Sequence, residues 1–190
     1  MGPIPSLIAI FVVVGVLIYV ATIYNGLVAL RNDIDKAWAN IDVLLKQRHD
    51  EVPRLVDVCK GYMQYERETL QTLTEARAKY GLATTVAQKT LASGGLSASV
   101  QKLFAVAENY PDLKANISFL ELQKRITELE SQIADRREFY NDSINVFNTR
   151  IQEMPDSLLA GAMGLQPRAM FQVTASEKSA VNVALAPTKV

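Results

Sequence analysis

An all-α fold is predicted, in which an N-terminal transmembrane helix continues into a long heptad-patterned helix packed within an elongated antiparallel bundle. Three observations predict it. The chain has no charged side chain from Met1 to Leu30, an apolar seam follows at steps of three and four, and a second long helical period runs from Leu113 to Ile151. Alternation with a period of two, the mark of a half-buried strand, is hardly visible anywhere.

The first element is the membrane span. Leu7 to Tyr24 is apolar at nearly every position, and at ~1.5 Å per residue it is long enough to cross hydrocarbon. A cleaved signal peptide fits less well. No Lys or Arg precedes the run, and "VATIYNG" carries bulky residues where a cleavage site needs small ones. Pro3 and Pro5 can open the helix without removing a bond that it needs. Tyr19 and Tyr24 stand where amphipathic rings prefer the membrane interface. Residues 1–26 are therefore read as the anchor. Arg31, Lys36, Lys46 and Arg48 all follow the span, so the positive-inside rule places the N-terminus outside and the bundle in the cytoplasm. A periplasmic bundle is the alternative.

The second element is the seam. Ile34, Trp38, Ile41, Leu45, Val52, Leu55, Cys59 and Tyr62 alternate at three and four residues, with Arg48 as the one charge in the row. Val43 and Leu44 widen the stripe on its flank. No Pro lies between Leu27 and Glu51, and Gly26 alone is a weak breaker, so one helix is expected from the membrane to about residue 80. Pro53 should bend it near the His49 carbonyl, because proline has no N–H for that acceptor. A charge in an apolar seam either pairs across the interface and fixes register or extends its stem to water, and Arg48 can do either. The seam from Ile34 to Arg48 is the expected packing or oligomer contact, since one antiparallel partner covers only one stripe.

The rest of the 27–164 bundle follows from its punctuation. Gly94-Gly95 divides an Ala-, Ser- and Thr-rich segment into expected short helices at 84–92 and 97–108. Pro111 with Asp112 opens a long helix at about 113–152, Pro155 stops it, and "DSLLAGAMG" provides a short helix at 156–163. Residues 165–190 form a tail without a strong period.

Twenty basic and twenty acidic residues give no net charge, so no field draws in nucleic acid. No catalytic, cofactor-binding or metal-binding residue stands out. His49 is the single histidine, and its helical neighbours Leu45, Lys46, Val52 and Pro53 include no metal ligand, so a solvated side chain is expected. Cys59 reads as a small buried hydrophobe, because nothing near it in sequence would lower its pKa. "NYPDLKAN" is explained by proline at a helix start, and "RREFYN" by an ion-paired face. The nucleophile elbow, the zincin pair and the phosphate loop are all absent, which leaves little case for an enzyme.

Three blocks, "YNGLVALRNDIDKAWANIDVLLKQRHDEVPRLV", "ENYPDLKANISFLELQKRITELESQI" and "RREFYNDSINVFNTRIQEMPDSLLA", resemble the LemA family of bacterial and archaeal membrane proteins in the same order. The resemblance covers about residues 20 to 172. It implies an anchored helical bundle without assigned catalytic residues. One branch of that family takes part in building magnetosome membranes, and other members occur alongside membrane zinc proteases. Two places depart from the pattern. Met154 stands where an aromatic often precedes the proline, and Met170-Phe171 replaces an aromatic pair. The resulting expectation is a non-enzymatic scaffold in the cytoplasmic membrane that self-associates and organises the bilayer, with itself and lipid as partners. An adaptor for a membrane protease is the alternative.

Overall fold

The computed structural model describes residues 3–171. Most of the expected tail, 172–190, lies outside the described residues, as do Met1 and Gly2. The fold is an all-α helical bundle with no strand among the described residues: α1 (Pro3–Lys60), α2 (Arg67–Leu82), α3 (Val86–Ala107), α4 (Pro111–Lys114), α5 (Ile117–Arg150) and α6 (Asp156–Ala162). Two compact units divide the chain. Unit 1 takes in the chain up to Asn40 with Arg136–Met170, and unit 2 takes in Ile41–Asp135 with Phe171.

In unit 1, Ile23, Leu27, Ile34 and Ala37 of α1 are buried, as are Tyr140, Ile144 and Phe147 of α5. The α5 set recurs at four and three residues and the α1 set at four, seven and three, which is what one helix face requires. Trp38 meets Tyr140 with ring centroids 5.7 Å apart. A Cβ added to Gly26 would lie 3.1 Å from Nη2 of Arg150. The pairs 26/150 and 38/140 rise along α1 as they fall along α5, so the two helices run antiparallel here. After α6, Gly164 takes the left-handed conformation (φ 65°) that glycine adopts without a Cβ clash. The chain then returns to α5. The Asn148 amide donates to the Arg168 carbonyl at 2.9 Å and accepts from the Arg168 N–H at 2.8 Å.

Unit 2 holds a core of Val52, Leu55, Cys59 and Met63 against Leu73 of α2, Leu96, Val100 and Leu103 of α3, and Phe119 and Ile126 of α5. Burying about 25 cal/mol per Å2 of apolar surface is the main stabilising term for such a core. Phe104 and Phe119 meet edge to face, 6.2 Å between centroids.

Three element boundaries differ from the sequence expectation. The first helix stops at Lys60 instead of running to about residue 80. Gly61 follows, Tyr62 and Met63 turn back with their N–H groups on the Cys59 carbonyl at 3.0 and 2.8 Å, and the turn buries Met63 completely. Tyr62, expected in the seam, lies in this turn and stays 39% exposed. The Tyr110 hydroxyl holds the far side of the turn, donating to Glu66 Oε1 at 3.2 Å. Second, α3 passes through Gly94-Gly95 as one helix. Glycine there costs up to about 1 kcal/mol each. A capping box between Thr85 and Gln88 opens the helix, and the buried Ser93, Leu96, Ser97 and Val100 hold it against its neighbours. Third, Pro111 opens only the one-turn α4, and α5 starts afresh at Ile117, where the Asn116 carboxamide accepts the Phe119 N–H at 3.0 Å.

Candidate functional site

Within α1, one stretch is suited to a bilayer. It carries an 18-residue window of mean hydropathy 2.8, of which only 6% is buried. Every residue from Ile4 to Thr22 is exposed, including Tyr19, and Tyr24 is 48% exposed. α1 is thus one helix long and apolar enough to cross a membrane, and it continues without a break into the part that forms the bundle.

The seam residues separate into two groups. Ile34, Ile41, Leu45 and Arg48 are fully buried within the chain, and Trp38 and Leu44 are half-buried. Val43 remains 57% exposed. The positions singled out for packing or oligomer contact are therefore mostly covered by other parts of the same chain. Val43 is the one that faces solvent.

Arg48 is the most unusual of them, a fully buried guanidinium in unit 2. Its Nη1 donates to Glu130 Oε1 at 2.6 Å and to Ser97 Oγ at 2.5 Å, and its Nη2 donates to Ser93 Oγ at 2.9 Å and to the Ser93 carbonyl at 3.3 Å. Ser97 also donates to Glu130. Helices α1, α3 and α5 are joined at one point, with the positive charge placed on a carboxylate. Among the described residues, Arg48 Nε finds no acceptor. A buried pair of this kind is weak evidence for stability, but it penalises any register that parts its members. Its partners lie 45 to 82 positions along the chain, which is why α1 alone could not reveal them. The small polar pair Ser93 and Ser97, four apart on α3, was the available signal.

A second device sits one turn further along. Pro53 lies inside α1, which continues through it. The His49 carbonyl, left without its usual donor, accepts from Arg77 Nε at 3.3 Å. His49 itself corrects the expectation of a solvated ring. Its side chain is only 18% exposed, stands 5.5 Å from the Tyr80 ring, and its Nδ1 lies 3.1 Å from Asp50 Oδ1. α2 packs against this stretch of α1, and that contact was not visible in helical neighbours alone. Nearby, Glu51 is 7% exposed at its side chain and pairs with Arg125 Nε at 2.8 Å and Arg54 Nη1 at 3.3 Å.

Burial pushes the Cys59 thiol up from 9.0 to about 12, which leaves it protonated and a poor nucleophile. Burial also raises the Tyr80 phenol to about 12, with the negative charge of Asp42 adding to the effect. Among the described residues, no three His, Cys, Asp or Glu side chains are grouped to hold a metal ion. "NYPDLKAN" forms α4 and the cap of α5, where Lys114 pairs with Glu108 and the Asn116 amide donates to the Tyr62 hydroxyl at 3.0 Å.

An all-α bundle carried on a membrane-length helix, with the fully buried Arg48 charge used to tie helices together, defines a structural class of membrane-associated protein. The sequence profile of the LemA family matches residues 37–185, and the chain belongs to that family. It is 24% identical to magnetosome protein MamQ 2 of Paramagnetospirillum magneticum, over 90% of this chain and 73% of that protein. It is 28% identical to protein LemA of Metamycoplasma hominis, over 81% of this chain and 71% of that one. Magnetosome protein MamQ of Magnetospirillum gryphiswaldense is 23% identical over 87% of this chain and 71% of its own length.

Proposed function

We propose that this protein is a non-enzymatic, membrane-anchored helical scaffold that self-associates and organises the bilayer. The observation that carries the reading is α1, an exposed apolar helix at one end that is built into the bundle at the other with no linker between. Such a joint transmits position and angle, whereas a flexible linker would lose both. The similarity to magnetosome proteins agrees with a role at a membrane. The basic residues Arg31, Lys36 and Lys46 after the span favour a bundle in the cytoplasm, with the N-terminus outside.

Anchoring confines copies to two dimensions in one orientation, which raises their effective concentration and favours weak lateral contacts. Since Ile34, Ile41 and Leu45 are already covered, self-contact runs over the flank of the seam at Val43. The test is oligomer mass in detergent by light scattering. Val43→Asp should lower the mass while the protein stays helical, because a charge is tolerated in water but not in a dry contact. A monomeric wild type, or an unchanged mass in that variant, would sink the reading.

A second reading, an adaptor for another membrane protein such as a zinc protease, draws on a groove of about 440 Å3 in unit 1. Leu30 and Ala37 of α1 line it with Phe139 and Val146 of α5, the latter two more than half exposed. Phe139→Asp should then abolish co-purification of that partner from detergent extracts without changing the mass of the protein alone.

A further inference from the structure

We propose that the corner between α5 and α6 is a second, peripheral contact with the bilayer, in which Met154 and Leu158 enter the headgroup boundary beside the point where α1 leaves it. The inference rests on the anchoring reading above and adds to it a surface that no transmembrane segment supplies.

The argument begins with height along α1. The apolar run ends at Tyr24, and Gly26 lies only about 3 Å further along the axis at ~1.5 Å per residue. At that level, within unit 1, stands the end of α5. An added Cβ on Gly26 would lie 3.1 Å from Arg150 Nη2, and Arg150 Nε donates to Asp156 Oδ2 at 2.5 Å. Ile23, still inside the apolar run, is only 7% exposed while the residues before it are exposed. The corner from Arg150 to Asp156 therefore stands at the edge of the hydrocarbon, not further along the bundle.

Its surface suits that position. Asp156 and Ala160 face inward and are buried, while Met154 is 72% and Leu158 68% exposed. The two apolar side chains are four residues apart, and Ser157 Oγ lies 3.1 Å from Met154 Sδ, which holds the thioether against the first turn of α6. The charges at the corner are largely neutralised in the Arg150–Asp156 pair. Glu153 is exposed here too, so attraction of anionic headgroups is not the driving force. Burial of apolar side chains about 5–10 Å into the boundary is. Singly exposed hydrophobes on a protein surface need no explanation. Two that flank the exit of a membrane span, level with the half-exposed Tyr24, are continuous with the lipid-facing surface of that span.

The experiment places a single tryptophan in the full chain, with Trp38→Phe as background, in bilayers of phosphatidylcholine brominated on its acyl chains close to the headgroup. Leu158→Trp and Met154→Trp should each lose emission to a degree comparable with Tyr19→Trp. Phe139→Trp should lose little, because Phe139 lines the groove beside Lys36, twelve residues or about 18 Å beyond Tyr24. Circular dichroism confirms that each variant is folded. If Tyr19→Trp is quenched while both corner variants are not, the corner faces water or a second copy and the inference is overturned, with the anchor intact. If Tyr19→Trp is itself unquenched, the anchoring reading fails and the inference fails with it.

Discussion

Units 1 and 2 both use arginine to bring distant segments together, but they use it at different depths. In unit 2, Arg48 is fully buried and its Glu130 partner is 27% exposed at the side chain. In unit 1, Arg168 reaches Asp35 at 2.5 Å with side chains 32% and 57% exposed, and its guanidinium lies 6.0 Å above the Phe147 ring. Water screens the second pair far more than the first. The contrast teaches that the same residue type acts as a register pin in one unit and as a loose clasp in the other.

The largest expected effect comes from Glu130→Leu, which removes the carboxylate and leaves the Arg48 charge buried among serines. Loss of about 3–5 kcal/mol is expected for such an orphaned charge, read by chemical denaturation, and Arg48→Met should cost much less because no buried charge remains. If the two variants are equally destabilised, the pair supplies stability rather than register and the contrast between the units collapses.

Alkaline pH comes next. Cys59 holds its proton up to about 12 in the folded chain against 9.0 for an exposed thiol, so between those values the folded state binds more protons than the unfolded one. Stability is then fully present below pH 9 and falls as pH rises through the window, and Cys59→Ala should flatten the fall. A pH profile indifferent to that substitution would contradict the burial that raises the thiol.

Arg77→Ala should cost about 1–2 kcal/mol, as expected for a lost charge-assisted hydrogen bond to a carbonyl that proline has already deprived of its donor. Replacing Pro53 with alanine as well should recover part of that loss, since the helix can then satisfy His49 itself. An additive double variant would show that the two features are independent.

The smallest effect is expected at Arg168. Arg168→Ala should cost less than about 1 kcal/mol, and the loss should shrink further with added salt, as for exposed pairs. A salt-independent loss matching that of Glu130→Leu would remove the distinction between clasp and pin.

How far the sequence foretold this arrangement depends on whether the signal was local. The apolar run and the seam to Cys59 were legible because a single helix face imposes its period on consecutive residues. The stop at Lys60 was not, because the apolar period resumes at Leu70 and Leu73 and conceals a reversal between. The Asn116 cap was readable in principle, as a polar acceptor just before an apolar run, but Pro111 five residues earlier offered a competing start. At Gly94-Gly95, packing of Ser93, Leu96 and Ser97 overrode a weak local preference. Long-range partners were out of reach, so Arg48 left both pairing and solvation open, and His49 was misjudged because Tyr80 lies 31 residues away.

The order in which the chain is made gives the Arg48 network a further meaning. Glu130 follows Arg48 by 82 residues, which is roughly 4 to 16 s of synthesis at about 5–20 residues per second. Throughout that interval the growing chain carries an apolar stripe with no α5 to cover it, interrupted at its centre by a cation that cannot be desolvated without its carboxylate. Two nascent stripes brought together would have to dehydrate two like charges face to face. The same guanidinium that later pins three helices thus keeps the unfinished helix wet, and the stripe closes only when its own partner has emerged.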